Sequence, residues 1–557
     1  MNLSLTIPEL MQDSGAEVPT QPSSLKQWLE SLPLLNTAET GRQVHKALML
    51  TNRLELDQEP RLRLLELYRE PVELIANELR KQYTGLSLPL SEKNRLIADQ
   101  VKHFQIEMAY GYKRFLLDID RTAKAAEKQG AKLATPIQRA IRYLTGVLVH
   151  AYQFYTPYPA GTLREIHELF RYAEKLGLVD TPVPDTLNDT IGQSSISHAY
   201  KQALLLDLSD PYHLPAHMIG KIQRYLDRWA PLATITGVTA EPDPRCQFLI
   251  DLQTDRAGYA YLGGSRISNP KHFRLLTTLE LVRVAHEQLS LVQQGNTPAH
   301  KGLGEGYFGH NAQDMLLRLI NVWGVNPKRV FPRKTQAGGQ IEAVLGLAAI
   351  NYYINGERRF LTSAKRMGPM PPQHKAGTLF SASQPDRAAR GGYEEKRLED
   401  KIGPHRCTLW EFVDESAGGL ALERRGSNEI DIKVGDLIAT RIAGQSGEWN
   451  IAVVRWMKYP GSDRTEIGAQ RLAPKATPVA IKTLDKDGKE SDFMYALMVP
   501  ELKTLKQART IIAPRGVFNP DHPIYLDDGE MLRRVTGTKL VEVTGAFERF
   551  VYRFTDF

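Results

Sequence analysis

The sequence predicts a multidomain α plus β protein, with an all-α N-terminal region, an α+β middle part, a run of antiparallel strands and a β-rich C-terminus. Three observations carry this. At 557 residues the chain is too long for one core and suits about three domains. From residue 24 to 230 apolar residues recur near a 3.6-residue period. From about 435 onward short runs alternate between turn signals, as strands do. Hydrophobic residues make up 42% and charged residues 24%, so a soluble globular class fits.

Taken in order, residues 1–23 carry Pro and Ser without periodicity and read as a flexible tail. Ser24 suits the N-cap of a helix over Leu25 to Leu32. Leu62 to Gln82 is strongly periodic, and Pro71 inside it should kink or split the helix. A long helical stretch opens at Leu90-Ser91 and runs to about Lys128, followed by Ile137 to Tyr155, Thr162 to Leu176, Ser195 to Leu206 and His217 to Trp229. Prolines punctuate these segments as helix boundaries should. Lacking any spacing of catalytic residues, the 24–230 segment reads as a scaffold or a surface for a protein partner.

The 231–324 segment opens on a linker, Ala240 to Arg245. Cys246 to Leu252 and Ala257 to Leu262 read as a strand pair. Phe273 to Val292 leaves open whether a strand precedes a helix. Asn311 to Trp323 reads as a helix with Gly324 just past its end. Gln340 to Ile354 is mostly apolar and reads as a buried strand. Gly435 to Ile442, Trp449 to Met457 and Glu466 to Leu472 read as three more. Residues 357–406 carry eleven Lys/Arg against six Asp/Glu, a difference of +5, with Gly and Pro but few aliphatics; they read as a flexible insertion. Trp323, Trp410, Trp449 and Trp456, four of the six tryptophans, read as core anchors of this part. Pro474 and Pro478 mark its end. The 479–557 segment, with Met494 to Val499, Arg509 to Ile512, Thr538 to Val543 and Phe547 to Phe554 as strands, is either a small β-domain or extra strands of the preceding one.

Several function classes are disfavoured. No run of eighteen apolar residues occurs, so no membrane span is expected, and the N-terminus lacks the basic and apolar regions of a signal peptide. Two cysteines, Cys246 and Cys407, form neither a disulfide framework nor a four-cysteine metal site, and suit a reducing cytoplasm. The net charge of +7 sits mostly in the 357–406 segment, which argues against nucleic acid as the partner. Gly302 to Gly306 lacks the spacing of a nucleotide loop, His286-Glu287 has no second histidine four residues on, and Asp118 and Asp120 lie on different helix faces. Nothing points to an enzyme, a metal or a cofactor.

Two motifs remain. Arg329 and Arg333 form RxxxR in a connector, and Asp414, Ser416 and Gly419 form DxSxxG. Two arginines with three residues between them can direct planar, forked donors at one anionic ligand, or at guanine O6 and N7. A carboxylate accepts from guanine N1–H and N2–H₂, a serine hydroxyl donates or accepts beside it, and a glycine permits close backbone approach. Followed by strands and by Ile467-Gly468, this order resembles the PilZ domain over about 325–475. The resemblance implies a PilZ-like antiparallel β-barrel that binds cyclic di-GMP through Arg329, Arg333, Asp414, Ser416 and Gly419, without a cofactor. It further implies a bacterial signalling effector acting on motility, type IV pili or biofilm. The 81 residues from Arg333 to Asp414 depart from the family pattern, and the 357–406 insertion would account for them. The alternative is a ligand-independent helical adaptor with a degenerate barrel.

Overall fold

The computed structural model describes residues 3–11, 18–33, 36–86, 88–120, 130–188, 190–238, 245–260, 267, 269–299, 303, 306–309, 311–324, 338–363, 406–416, 418–426, 431–445, 447–461, 463–484, 490–501, 507–520 and 522–555. They fall into two compact units, the first running to Lys328 apart from two short stretches and the second mainly Arg329–Phe557.

The first unit is built from helices α1 (Pro22–Ser31), α2 (Thr37–Thr51), α3 (Gln58–Tyr83), α4 (Glu92–Asp120), α5 (Ala134–Gln153), α6 (Thr162–Leu176), α7 (Ile196–Asp207) and α8 (Ala216–Trp229). A strand pair, β1 (Val183–Pro184) and β2 (Gln193–Ser194), lies between α6 and α7. Sequence signals set several starts: Ser195 Oγ accepts from His198 N at the start of α7, and Asn36 Oδ1 accepts from Glu39 N at the start of α2. α1 starts differently from expectation. Pro22 occupies its first turn, one turn's edge earlier than a Ser24 cap would allow. α3 runs unbroken through Pro71, because Leu64, Leu65, Tyr68, Val72, Ile75 and Leu79 are buried on one face and outweigh one lost backbone bond.

Residues 3–11 are no flexible tail. Leu3 and Leu5 are buried, and Leu3 N, Ser4 N and Thr6 N donate to Asp120, Glu168 and Glu165 at 2.8, 2.9 and 2.6 Å. Carboxylates on α4 and α6 thus satisfy an extended backbone that sequence periodicity could not register. Deeper in the unit, Arg69 and Arg139 surround the buried Asp185, at 2.9 and 3.6 Å, and Arg142 joins them.

The segment up to 324 belongs to this same unit. Strands β3 (Thr234–Gly237), β4 (Gln247–Asp251), β5 (Tyr259–Ala260) and β6 (Phe273–Thr277) form an antiparallel sheet of order β3-β6-β4-β5, followed by α9 (Leu279–Gln293) and α10 (Ala312–Gly324). Arg274 on β6 pairs with Glu174 on α6 at 2.7 Å, and Trp323 Nε1 donates to Leu205 O at 3.2 Å. Trp323 is therefore an anchor of the helical unit and not of a barrel.

The second unit holds two closed six-stranded barrels. The first contains β7 (Gln340–Leu345), β8 (Cys407–Ser416), β9 (Gly419–Arg425), β10 (Leu437–Ile442), β11 (Asn450–Gly461) and β12 (Arg464–Ala473), in the order β10-β11-β12-β9-β8-β7. Its interior is filled by Ala343, Trp410, Leu422, Ile438, Val454 and Ile467, all buried. The buried strand expected over Gln340 to Ile354 stops at Leu345. Gly346, at φ 83, turns the chain into α11 (Leu347–Ile354), where only Gly is free of a Cβ penalty.

The second barrel contains β13 (Thr477–Thr483), β14 (Met494–Val499), β15 (Thr510–Ala513), β16 (Ile524–Asp527), β17 (Leu532–Val543) and β18 (Glu548–Phe554), in the order β13-β14-β15-β18-β17-β16. It is a complete barrel, not extra strands of the first. A seam of Val344, Leu437, Ile451, Val453 and Trp449 packs with Leu497, Val499, Ile512 and Phe547, and α11 covers it through Ile350. Asn351 Nδ2 donates to Val479 O and Ala496 O at 3.1 and 2.9 Å, closing the seam with a buried amide.

Most of the 357–406 insertion lies outside the described residues. Its first part is fixed and not flexible: Phe360 and Thr362 are buried, and Ser363 N and Oγ donate to the carboxylate of Asp527 at 3.0 and 2.6 Å.

Candidate functional site

The DxSxxG motif forms the β8–β9 hairpin. Register places Ser416 opposite Gly419 and Asp414 opposite Ala421, with a bulge between Phe412 and Asp414. The bulge sets one extra β8 residue against β9 and aims Val413 and Asp414 together at the outer face. From there the pairing continues across the sheet. Ala421 faces Gly468 on β12, and Gly468 faces Trp456 on β11. Asp414, Ala421, Gly468 and Trp456 therefore make one row across four strands, spanning about 14 Å at the usual strand spacing. The neighbouring row is Ser416, Gly419, Gln470 and Val453.

Gly419 serves close approach, and not the turn itself. A Cβ there would stand 2.5 Å from Ala469 O, which is backbone and cannot move aside. Ser416 Oγ donates to Gly419 O at 3.4 Å across the turn. Arg471 braces the hairpin: its backbone N donates to Gly418 O at 3.0 Å, Nη1 donates to Ser416 O at 3.3 Å, and Nη2 pairs with Glu415.

A second bulge, between Val454 and Trp456, does for β11 what the first does for β8. Val454 and Met457 are buried, so Arg455 and Trp456 both point outward. The indole lies across β12 at Gly468, where any added Cβ would overlap it. Arg455 Nε donates to Gln470 Oε1 at 2.7 Å, and Nη1 pairs with Glu542 of β17 at 2.6 Å. One step further from the hairpin, Glu411, Glu423 and Glu466 form an acidic row. Arg464 neutralises part of it, 2.7 Å from Glu423 and 2.5 Å from Glu466, and Arg425 sits 2.9 Å from Glu423.

Arg329 and Arg333 lie outside the described residues. The described chain resumes at Gly338, and Gly339 O accepts from Phe412 N at 3.1 Å, immediately before the β8 bulge. Asp414, Ser416 and Gly419 lie together on the β8–β9 hairpin. Sequence reasoning did not single out Arg455 or Arg471 and read Trp456 as a core anchor, whereas it is half-buried on the outer face; Gly468 inside a strand was the signal that something crosses it. Among the described residues, no group of three or more His, Cys, Asp or Glu is placed to hold a metal ion. Nor is any helix among them long and apolar enough to cross a membrane.

Comparison with known proteins matches three family profiles along the chain. Residues 23–242 match the N-terminal domain of the cyclic-di-GMP receptor FimW, 247–389 and 372–478 its middle PilZ domain, and 479–555 its C-terminal β-barrel domain. The chain is 27% identical to the cyclic-di-GMP receptor FimW of Pseudomonas aeruginosa, over 99% of this chain and 93% of that protein. With the three matches running almost end to end and a closed barrel carrying DxSxxG on its outer face, the chain belongs to the family of PilZ-domain cyclic-di-GMP receptors.

Proposed function

We propose that the protein is a cyclic di-GMP-binding effector that couples the level of this second messenger to a protein partner. The ligand rests on the outer face of the first barrel. Asp414 and Ser416 meet a guanine edge, Gly419 lets the hairpin lie close to β12, and Arg329 and Arg333 supply forked donors to phosphate and guanine. The observation that carries this reading is the β8–β9 hairpin of a closed barrel, whose register sets Asp414 against Ala421 and Ser416 against Gly419. Similarity along nearly the whole chain to a cyclic-di-GMP receptor supports it. The helical unit is the surface for the protein partner, and the output is motility, type IV pili or biofilm control. No catalytic step is part of this reading, and the chain acts in the cytoplasm.

Calorimetric titration tests it. Wild type should bind cyclic di-GMP at micromolar affinity or better. Hydrogen bonds to charged groups contribute about 1.5–3 kcal/mol net, so Arg333→Ala should weaken binding about tenfold or more. Arg333→Lys keeps the charge but loses the fork and should also bind poorly. Absence of wild-type binding would leave the helical adaptor as the reading.

A further inference from the structure

Residues 3–8 sit on the helical unit as a bound peptide would. Their side chains alternate: Leu3 and Leu5 are buried, while Ser4 and Thr6 are exposed. That is the pattern of a strand, yet no strand pairs with them among the described residues. Side chains of α4 and α6 take its place. Asp120, Glu168 and Glu165 accept from Leu3 N, Ser4 N and Thr6 N, and Arg114 Nη2 donates to Pro8 O. All four contacts go to the peptide backbone. They depend on an extended shape and not on which side chains it carries, while two apolar side chains with one residue between them add selectivity.

The groove does not need this segment to keep its own charges satisfied. Glu165 and Lys113 are both buried and pair at 2.7 Å, so the carboxylate that meets Thr6 N keeps its cation when the segment leaves. Asp120 and Glu168 are half-buried, and water can replace the amides they accept from. Departure therefore exposes chiefly two leucines and strands no buried charge. The same two carboxylates select the occupant. They disfavour an acidic residue beside them and accept an uncharged stretch whose N–H groups are free.

We propose that the groove between α4 and α6 is a docking site for an extended Leu-x-Leu peptide of a partner protein, and that residues 3–8 occupy it in cis until such a peptide displaces them. This rests on the proposed partner-binding role of the helical unit and gives it a location. It does not depend on cyclic di-GMP.

The test uses the full chain and a fluorescent peptide of residues 3–9, LSLTIPE, capped by acetyl and amide groups so that its first N–H remains an amide. Wild type should bind it weakly, because a tethered competitor acts at an effective concentration on the order of millimolar. Leu3→Ser made together with Leu5→Ser should empty the groove and bind the peptide at least about tenfold more tightly in fluorescence anisotropy. Thr6→Pro withdraws only the N–H given to Glu165 and should give a smaller gain in the same direction. The peptide with serine in place of Leu3 and Leu5 should bind none of them. Circular dichroism and melting verify the fold of each variant. A doubly substituted chain that stays folded and ignores the peptide overturns the docking site, as does a wild type that binds it equally well; the partner surface then lies elsewhere on the helical unit. Loss of helical structure in both variants also overturns it, since the segment would then be part of the core. Cyclic di-GMP titration of the same variants should match wild type, so that a failure of nucleotide binding is read separately from a failure of the groove.

Discussion

The two barrels share one topology and differ in what covers the same face. Numbered within each barrel, both close as strands 1-2-3-6-5-4, with every neighbouring pair antiparallel. The second strand is β8 in one and β14 in the other. On β8 the outer face carries Glu411, which is exposed, and Asp414 and Ser416, which are half-buried. On β14 the corresponding face carries Leu497 and Val499, buried in the seam beneath α11. β8 is bulged at Asp414, whereas β14 pairs with β15 in unbroken register. The same strand order thus carries the proposed ligand face in one barrel and a packed seam in the other, because function resides in the grafted residues and in what is left uncovered.

The largest contrast lies at the end of the fourth strand. In the second barrel that residue is Asp527, 1% exposed, whose carboxylate accepts from Ser363 N, Ser363 Oγ and Gly529 N. In the first it is Ile442, 53% exposed. Asp527→Ala strands three donors, and denaturant unfolding should register a loss of about 3 kcal/mol or more. Ile442→Ala should change stability by less than about 0.5 kcal/mol. Equal effects would mean that the two barrel ends are not built differently.

Glycines give the next contrast. Gly419→Ala sets a Cβ 2.5 Å from a backbone carbonyl, while Gly537→Ala in β17 meets the Phe518 ring at 2.8 Å. Overpacking costs about 1–3 kcal/mol, and a ring can tilt where a backbone cannot. Gly419→Ala should therefore sit at the upper end and Gly537→Ala at the lower, as melting curves will show. A reversed order would undo the assignment of Gly419 to close approach.

Much of this was legible from sequence, for stated physical reasons. The amphipathic helices and four C-terminal strands follow from periodicity. The DxSxxG hairpin follows from residue chemistry. What was not legible depended on partners distant in sequence. Leu3 and Leu5 are buried only because Asp120, Glu165 and Glu168 bond the backbone beside them. Phe360 and Thr362 look like insertion until Asp527 holds Ser363. Pro71 announced a break that a buried apolar face overrode. Trp456 reads as core because a one-residue bulge, which turns it outward, leaves no mark in composition.

A smaller effect concerns the proposed ligand face itself. Asp414→Ala should weaken cyclic di-GMP binding about tenfold, and should weaken binding of a simple phosphate compound much less, because a carboxylate reads a base and not a phosphate. As the matched control, Arg509→Ala on the second barrel, where the guanidinium rests over the Tyr552 and Phe554 rings, should leave affinity unchanged. A loss there equal to that of Asp414→Ala would move the site toward the second barrel.

The smallest expected effect tests whether the two barrels communicate through the proposed ligand face. Arg455 is about one-third exposed and spans Gln470 on that face and Glu542 on β17. Glu542 is largely buried, yet it has a second cation, Arg549, at 3.9 Å. Removing Arg455 therefore does not strand a buried carboxylate, which is the case that would cost several kcal/mol. A partly exposed pair with a backup partner contributes no more than about 1 kcal/mol. Arg455→Gln should accordingly lower stability by less than that, as read in denaturant unfolding, and the loss should shrink further in high salt. Arg549→Gln made together with it leaves Glu542 with neither cation. The double variant should lose clearly more than the sum of the two single losses, since each cation covers for the other. Strict additivity would show that Arg455 and Arg549 do not share Glu542, and that the link between the ligand face and the second barrel rests on the apolar seam alone.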